Sequence, residues 1–291
     1  TSLAHGAHVA VGTPGRVIDH LVRETVSFDA LNTLVLDEAD RMLDMGFVDD
    51  MKKIARSCPR DRQTLLFSAT YPAGIAQLAA QFLRDPVTVK VQAQHGADHI
   101  EQRWYEVTED ERLPAVARLL AHFRPASALV FCNTKARCRA LAELLRAQGY
   151  AALALHGDLD QRERDQTLIK FANGSCTVLV ATDVTARGLD VAGLAAVINV
   201  DVPADAEQHV HRIGRTGRAG HSGLALCLAS LDEMGAVGRI EQLQRRAPVW
   251  HRLAELTPAP GGRQLPAMVT LHIPAGRKDK IRAGDVLGAL T

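Results

Sequence analysis

Short apolar runs rich in β-branched residues alternate with segments of helical period along almost the whole chain. In the first part, strands are expected at 8–11, 33–36 and 64–67, and helices at 14–23, 48–57 and 73–82. A second alternating set puts strands at 128–131, 152–155, 178–181, 196–199 and 224–228, separated by helices at 111–122, 135–148, 160–171 and 205–213. Strands that are nearly continuously apolar and separated by helices make a parallel sheet covered on both faces. Each set is therefore expected to form an α/β sandwich, with ligands at the carboxyl ends of its strands.

The pattern lapses twice. Between about residues 85 and 103 it becomes polar, with Pro86, Gln92, Gln94, His95 and Gly96, and this stretch reads as a linker. After Leu243, Pro248, Pro258, Pro260, Gly261 and Gly262 mark turn and linker chemistry, before a strand at 268–273 and a helix at 280–290. The expected divisions are 1–90, a linker at 91–103, a second domain at 104–246, a linker at 247–266, and the start of a further domain at 267–291.

Composition agrees with two ordinary domains: of 291 residues, 47% are hydrophobic and 23% charged. No apolar run approaches the ~18 residues that would span a membrane. The five cysteines make no CxxC pair, which favours packed, reduced thiols over a metal or disulfide framework. The histidine pairs His5/His8 and His209/His211 have no further ligands at zinc spacing. The net charge of +1 is uninformative, but nine Lys/Arg against three Asp/Glu between Arg239 and Arg282 make a basic end on a body that carries −5. That end suits an anionic partner.

Chemistry-bearing residues cluster where strands end. Asp37, Glu38, Ala39 and Asp40 follow the apolar strand 33–36; such carboxylates can hold Mg²⁺ and orient water, although a solvated acidic turn before a helix fits the same residues. Ser68, Ala69 and Thr70 end the next strand, where a helix cap before Pro72 is the alternative. Thr182 and Asp183 end the strand 178–181 and precede Arg187, Gly188 and Asp190. Thr13, Pro14, Gly15 and Arg16 open a helix whose first amides attract anions. His211, Arg212, Gly214, Arg215, Gly217 and Arg218 crowd three arginines that an anion would reconcile, a surface basic loop being the bland reading.

Taken together, these motifs resemble the DEAD-box RNA helicase family over nearly the whole chain, in the family's order: TPGR at 13–16, DEAD at 37–40, SAT at 68–70, FCNT at 131–134, Gln161 with Arg164, ATD…RGLD at 181–190 and HRIGRTGR at 211–218. The resemblance implies two RecA-like parallel-sheet lobes, the first incomplete, that close over ATP and single-stranded RNA. It implies that Asp37 serves Mg²⁺ through water, that Glu38 activates the attacking water, and that Asp40, Ser68 and Thr70 couple hydrolysis to unwinding. Arg215 and Arg218 look like arginine fingers, His211 like a γ-phosphate neighbour, and Asp190, with Gly188 nearby, like the ribose contact. Thr13, Pro14, Gly15, Arg16, Gln161, Arg164, Thr182, Asp183, Arg187 and Gly188 would line the RNA path.

The tail from Met268 resembles the start of an RRM-like α+β domain found in one bacterial branch of the family, which implies action on large-subunit ribosomal RNA in ribosome assembly, in the cytoplasm. No membrane partner and no oligomer is indicated. GxxxxGK[ST] is absent from these 291 residues, so the chain is expected to be part of a longer helicase and to be inactive alone. A non-enzymatic RNA clamp and a DNA helicase are the rival readings; an upstream phosphate loop would decide against the clamp.

Overall fold

A computed structural model describes residues 6–68, 73–89, 99–186, 193–217, 222–271, 273, 281–282 and 284–286. The chain divides into two compact units, Thr1–Val91 and Gln92–Thr291.

In the first unit, β1 (Thr33–Leu36) and β2 (Gln63–Leu66) pair in parallel, Leu36 opposite Leu66. Among the described residues, four helices accompany them: α1 (Pro14–Val22), α2 (Ala39–Asp44), α3 (Val48–Arg56) and α4 (Ala73–Phe82). α3 begins with Asp49 and Asp50 and ends with Lys53 and Arg56, which suits the helix dipole, and it buries Met51 and Ile54 on one side. The core gathers Leu36, Ala39, Met51, Ile75, Leu78 and Phe82. The strand expected at 8–11 does not form: Val9 and Val11 are exposed, and no described strand pairs with that segment. An extended segment without a hydrogen-bonded neighbour has no ladder to define it.

The second unit carries a seven-stranded, all-parallel sheet in the order β5-β6-β4-β7-β8-β3-β9. Its strands are β3 (Ile100–Glu106), β4 (Ala128–Phe131), β5 (Ala152–Leu155), β6 (Val178–Ala181), β7 (Ala196–Asn199), β8 (Gly223–Ala229) and β9 (Trp250–His251). Its helices are α5 (Glu109–Phe123), α6 (Lys135–Ala147), α7 (Gln161–Ala172), α8 (Asp183–Ala186), α9 (Ala206–Ile213) and α10 (Met234–Gln244). Alternation of side chains along each strand sorts the core into two layers. Val130, Val180 and Ile198 face a layer with Leu119 and Leu141 from α5 and α6, while Leu129, Leu179 and Val197 face Phe171 from α7.

Three linker and tail expectations change. Residues 100–103 are strand, not linker: β3 pairs with β8 along its length and with β9 at Trp104 and Tyr105. Residues 247–266 contribute β9 and a packed segment with Leu256 in the core. The described residues among 268–273 form no strand; in the 280–290 stretch, residues 284–286 are helical. All five cysteines are buried, and burial pushes the thiols of Cys138 and Cys176 up to about 11 and that of Cys227 up to about 12.

Candidate functional site

Because every strand pair is parallel, the carboxyl ends of each sheet lie along one edge, and in each unit that edge carries part of the motif set. In the first unit, Asp37 leaves β1 and its Oδ1 accepts the Glu38 amide at 2.9 Å. Glu38 turns the chain in the left-handed region, with φ at 51°, and starts α2. Its carboxylate receives Arg41 Nη1 at 2.7 Å, and the Asp40 carboxylate receives the Arg41 amide at 3.0 Å. The Ala39 amide donates to Phe67 O at 3.0 Å, and the Phe67 amide to Leu36 O at 2.8 Å, which stitches the acidic turn to the strand that leads into Ser68. Ala39 is fully buried, so a larger side chain there would force the turn off the core. Thr70 lies outside the described residues.

At the start of α1, Thr13 takes the cap position without a side-chain cap bond, Pro14 opens the first turn, and a Cβ at Gly15 would meet nothing within 4 Å. Arg16 is exposed and paired with Asp19 at 2.7 Å.

In the second unit, register places Phe131 opposite Ala181 and Asn199, and Leu155 opposite Ala181. Asn133, Thr182, Asp183 and Asp201 therefore emerge together. Arg212, on the inner face of α9 and fully buried, ties them to one another. Its guanidinium donates to Asp183 through Nε at 2.7 Å and Nη2 at 2.6 Å, to Asn133 Oδ1 at 2.7 Å, to Asp201 O at 2.7 Å and to Asn199 Oδ1 at 3.3 Å, and it lies 5.1 Å from the Phe131 ring centroid. Asp201 in turn accepts the Asn133 amide at 2.8 Å and pairs with Arg137, while Arg112 sits 3.7 Å away. Arg112 continues this network to Val200 O at 2.6 Å and Glu233 at 2.7 Å.

This arrangement redistributes the sequence-derived residues. Asp183 spends both carboxylate oxygens on Arg212. Thr182 Oγ1 lies 3.0 Å from Thr185 Oγ1, and Arg164 Nη2 donates to Thr185 O at 3.1 Å, so Thr182 and Arg164 come together around Thr185. Gln161 lies one turn earlier on α7, bonded to Asp165 at 2.7 Å, within the Asp160–Glu163 capping box. His211 is on the exposed side of α9, and Arg215 follows, half-buried, in the turn just past the helix end. Arg187, Gly188, Asp190 and Arg218 lie outside the described residues.

The loop that carries Arg215 is pinned from below. Thr216 is buried, its hydroxyl donates to Leu194 O, and a Cβ at Gly223 would overlap the Gly217 amide nitrogen. Gly223→Ala must push backbone apart, so it is expected to destabilise the second unit by about 1–3 kcal/mol. Both tryptophans, Trp104 and Trp250, belong to this unit, so the midpoint of fluorescence-detected denaturant unfolding measures the effect; an unchanged midpoint would mean that the loop moves freely.

His209 backs the same helix. It is fully buried, stacked on Trp104 at 5.4 Å between centroids, with Nε2 3.3 Å from Gln102 Oε1. Burial, and then the Arg212 charge, push it down to about 3. The unfolded chain binds this proton below about pH 6.5 and the folded chain does not, so stability rises with pH across that window. The contribution is complete above about pH 6.5, and about 2 kcal/mol of it is lost by pH 5. Comparing unfolding midpoints at pH 7 and pH 5 tests this; a His209→Phe variant with the same acid loss as the unmodified chain would exonerate His209.

Sequence reading counts Arg212 among three arginines that an anion would reconcile, whereas the structure pairs it with Asp183; it gives Asn133 and Asp201 no role of their own. A signal was present for both: Asn133 and Asp201 each follow an apolar strand closely, as Asp37 does.

Two protein families match this chain: a DEAD/DEAH box helicase domain at residues 1–78 and a helicase conserved C-terminal domain at residues 111–220. The chain is similar to the Escherichia coli protein named ATP-dependent RNA helicase DbpA, 49% identical over 100% of this chain and 63% of that one. It is also similar to the DEAD-box ATP-dependent RNA helicase CshA of Geobacillus kaustophilus, 48% identical over 82% of this chain and 51% of that one. The chain thus spans between half and two thirds of these relatives' length. Among solved structures it is similar to Saccharomyces cerevisiae Dbp5 bound to RNA and ADP BeF3, with a TM-score of 0.78 and 32% identity over 85% of this chain and 66% of that one.

Proposed function

The chain belongs to the DEAD-box RNA helicase family, with RecA-like parallel α/β units, and on that premise we propose that the full-length protein hydrolyses ATP to separate short RNA duplexes locally. The observation that carries the proposal is positional: the acidic turn in the first unit and the Thr182–Asp183–Arg212 cluster in the second each stand at the carboxyl edge of a parallel sheet, where such folds bind ligands.

Asp37 then holds Mg²⁺ through water and Glu38 orients or deprotonates the attacking water. Asp40, Ser68 and Thr70 couple the nucleotide's state to the grip on RNA. Arg215 and Arg218 supply positive charge to the transferring phosphoryl group, with His211 beside it and Asp190, near Gly188, at the ribose. Thr13, Pro14, Gly15, Arg16, Gln161, Arg164, Thr182 and Arg187 contact phosphate and sugar, which positions a strand without reading its sequence. Asp183 serves this surface indirectly, by holding Arg212 and α9. The test is ATP turnover by the full-length protein with and without single-stranded RNA, alongside strand separation of a short duplex. Tight RNA binding with no RNA-stimulated turnover would instead establish a non-enzymatic clamp.

The finer reading is that the substrate is large-subunit ribosomal RNA in assembly intermediates, in the cytoplasm, and that the residues after Gly262 select it. Sequence-selective binding needs splayed bases or folded shape, which the phosphate contacts above do not supply. Deleting everything after Gly262 in the full-length protein should leave ATPase activity that any single-stranded RNA stimulates. What should vanish is the extra stimulation by ribosomal RNA over a scrambled control, compared at one salt concentration. A truncated enzyme that kept the full-length preference would place the reader in the helicase units.

A further inference from the structure

Glu38 is fixed along its backbone and held at one point of its side chain. Its φ of 51° lies in the left-handed region, its amide donates to Asp37 Oδ1 at 2.9 Å, and its carbonyl accepts the Met42 amide at 3.0 Å as α2 begins. The carboxylate is exposed and makes no cap to α2. Instead, Oε2 accepts Arg41 Nη1 at 2.7 Å. Among the described residues, Oε1 has no hydrogen-bond partner, and Glu38 is the one acceptor of the Arg41 side chain.

The start of α2 reverses an ordinary helix opening. In a capping box, an acid at the third helical residue reaches back to the amide of the cap residue. Here the third residue is Arg41, it reaches the side chain of the cap residue, and Asp37 serves the amide in the acid's place. A cation in the first turn gains nothing from the helix dipole. Helix stability therefore does not account for an arginine at this position, whereas its contact with Glu38 does.

We propose that Arg41 is a positioning residue for the hydrolytic base: it immobilises one oxygen of Glu38 and leaves Oε1 to take the proton of the attacking water. The proposal deepens the helicase reading above and rests on it. A general base works best when a third group orients it, as in catalytic triads. The water's proton passes to Oε1 while its oxygen bonds to the γ-phosphorus, and the bond from that phosphorus to the leaving diphosphate breaks. Arg41 exchanges neither a proton nor electrons in this step. An ion pair this exposed favours the held rotamer by no more than about fivefold, so freeing Glu38 costs far less than removing it.

Kinetics of the full-length protein at saturating RNA test the role. Arg41→Met keeps an unbranched stem of good helix propensity, and it should lower kcat for ATP about fivefold with KM for ATP within about twofold of wild type. Arg41→Lys should restore kcat to within about twofold of wild type, because one ammonium can make the single contact that Arg41 makes. In a Glu38→Ala background there is no carboxylate to hold, so Arg41→Met should change the residual turnover by less than about twofold. A wild-type kcat for Arg41→Met overturns the proposal. So does a loss of the same size in the Glu38→Ala background, which would put Arg41 to work on another group. The contact is also read without ATP or RNA: the NMR signals of the Arg41 guanidinium should move on Glu38→Ala, and unmoved signals would overturn the pairing. If those signals move but no RNA stimulates turnover by the unmodified protein, the helicase reading fails and Arg41 is left with a structural ion pair.

Discussion

Replacing Arg212 with methionine should cost the second unit about 3–5 kcal/mol, because it leaves the Asp183 carboxylate with two lost donors in a largely buried setting. The arginine is fully buried, and Asp183 keeps 14% of its side chain exposed. Three further acceptors and a ring face depend on the same guanidinium, so the loss propagates from α9 to the ends of β4, β6 and β7. Lysine should recover little, since one ammonium cannot reproduce a two-pronged contact with the carboxylate. Arg212→Met joined with Asp183→Asn should recover part of the loss by removing the orphaned charge. Fluorescence-detected denaturant unfolding reads all three variants, and a single Arg212→Met substitution with a wild-type midpoint would show that the cluster is not cooperative. In the full-length protein, the same variant should also misplace His211 and Arg215, because Arg212 anchors the helix that carries the first and leads into the second.

Glu38→Gln in the full-length protein should lower kcat for RNA-stimulated ATP hydrolysis by roughly 10²–10⁴, the usual range for losing a general base. Glutamine keeps the size and can still accept a hydrogen bond from Arg41, which lies 2.7 Å from the present carboxylate. It also keeps an L side chain at φ 51°, so whatever strain the turn carries is unchanged, which a glycine control would not ensure. KM for ATP and the unfolding midpoint should therefore stay near wild type. Turnover at the wild-type rate would remove Glu38 from the chemistry and return the acidic turn to a purely structural role.

The amino-acid sequence by itself determined the α/β class, the parallel strands β4, β5, β6, β7 and most of β8, and the strand-end positions of Asp37, Ser68 and Thr182. These follow from local facts: an apolar run of four residues, a helical period after it, and a polar residue where the run stops. Tertiary structure decided what depends on distant neighbours. β3 contains Glu101, Gln102 and Arg103 in succession and reads as linker, yet it is strand because β8, more than a hundred residues on, supplies its hydrogen bonds. Residues 8–11 have the opposite history, a strand-like sequence with no described partner. Arg212 carries a charge that composition assigns to the surface, and only the convergence of Asn133, Asp183, Asn199 and Asp201 at one sheet edge makes its burial favourable. The segment after β9 is the same case: Pro258, Pro260 and Gly261 signal a loose connection, and the side chains of Arg118, His122 and Arg124 turn it into packed structure. Periodicity reports which face of an element is apolar, whereas a buried charge or a docked coil is stable only once parallel pairing has brought its partners within hydrogen-bond distance.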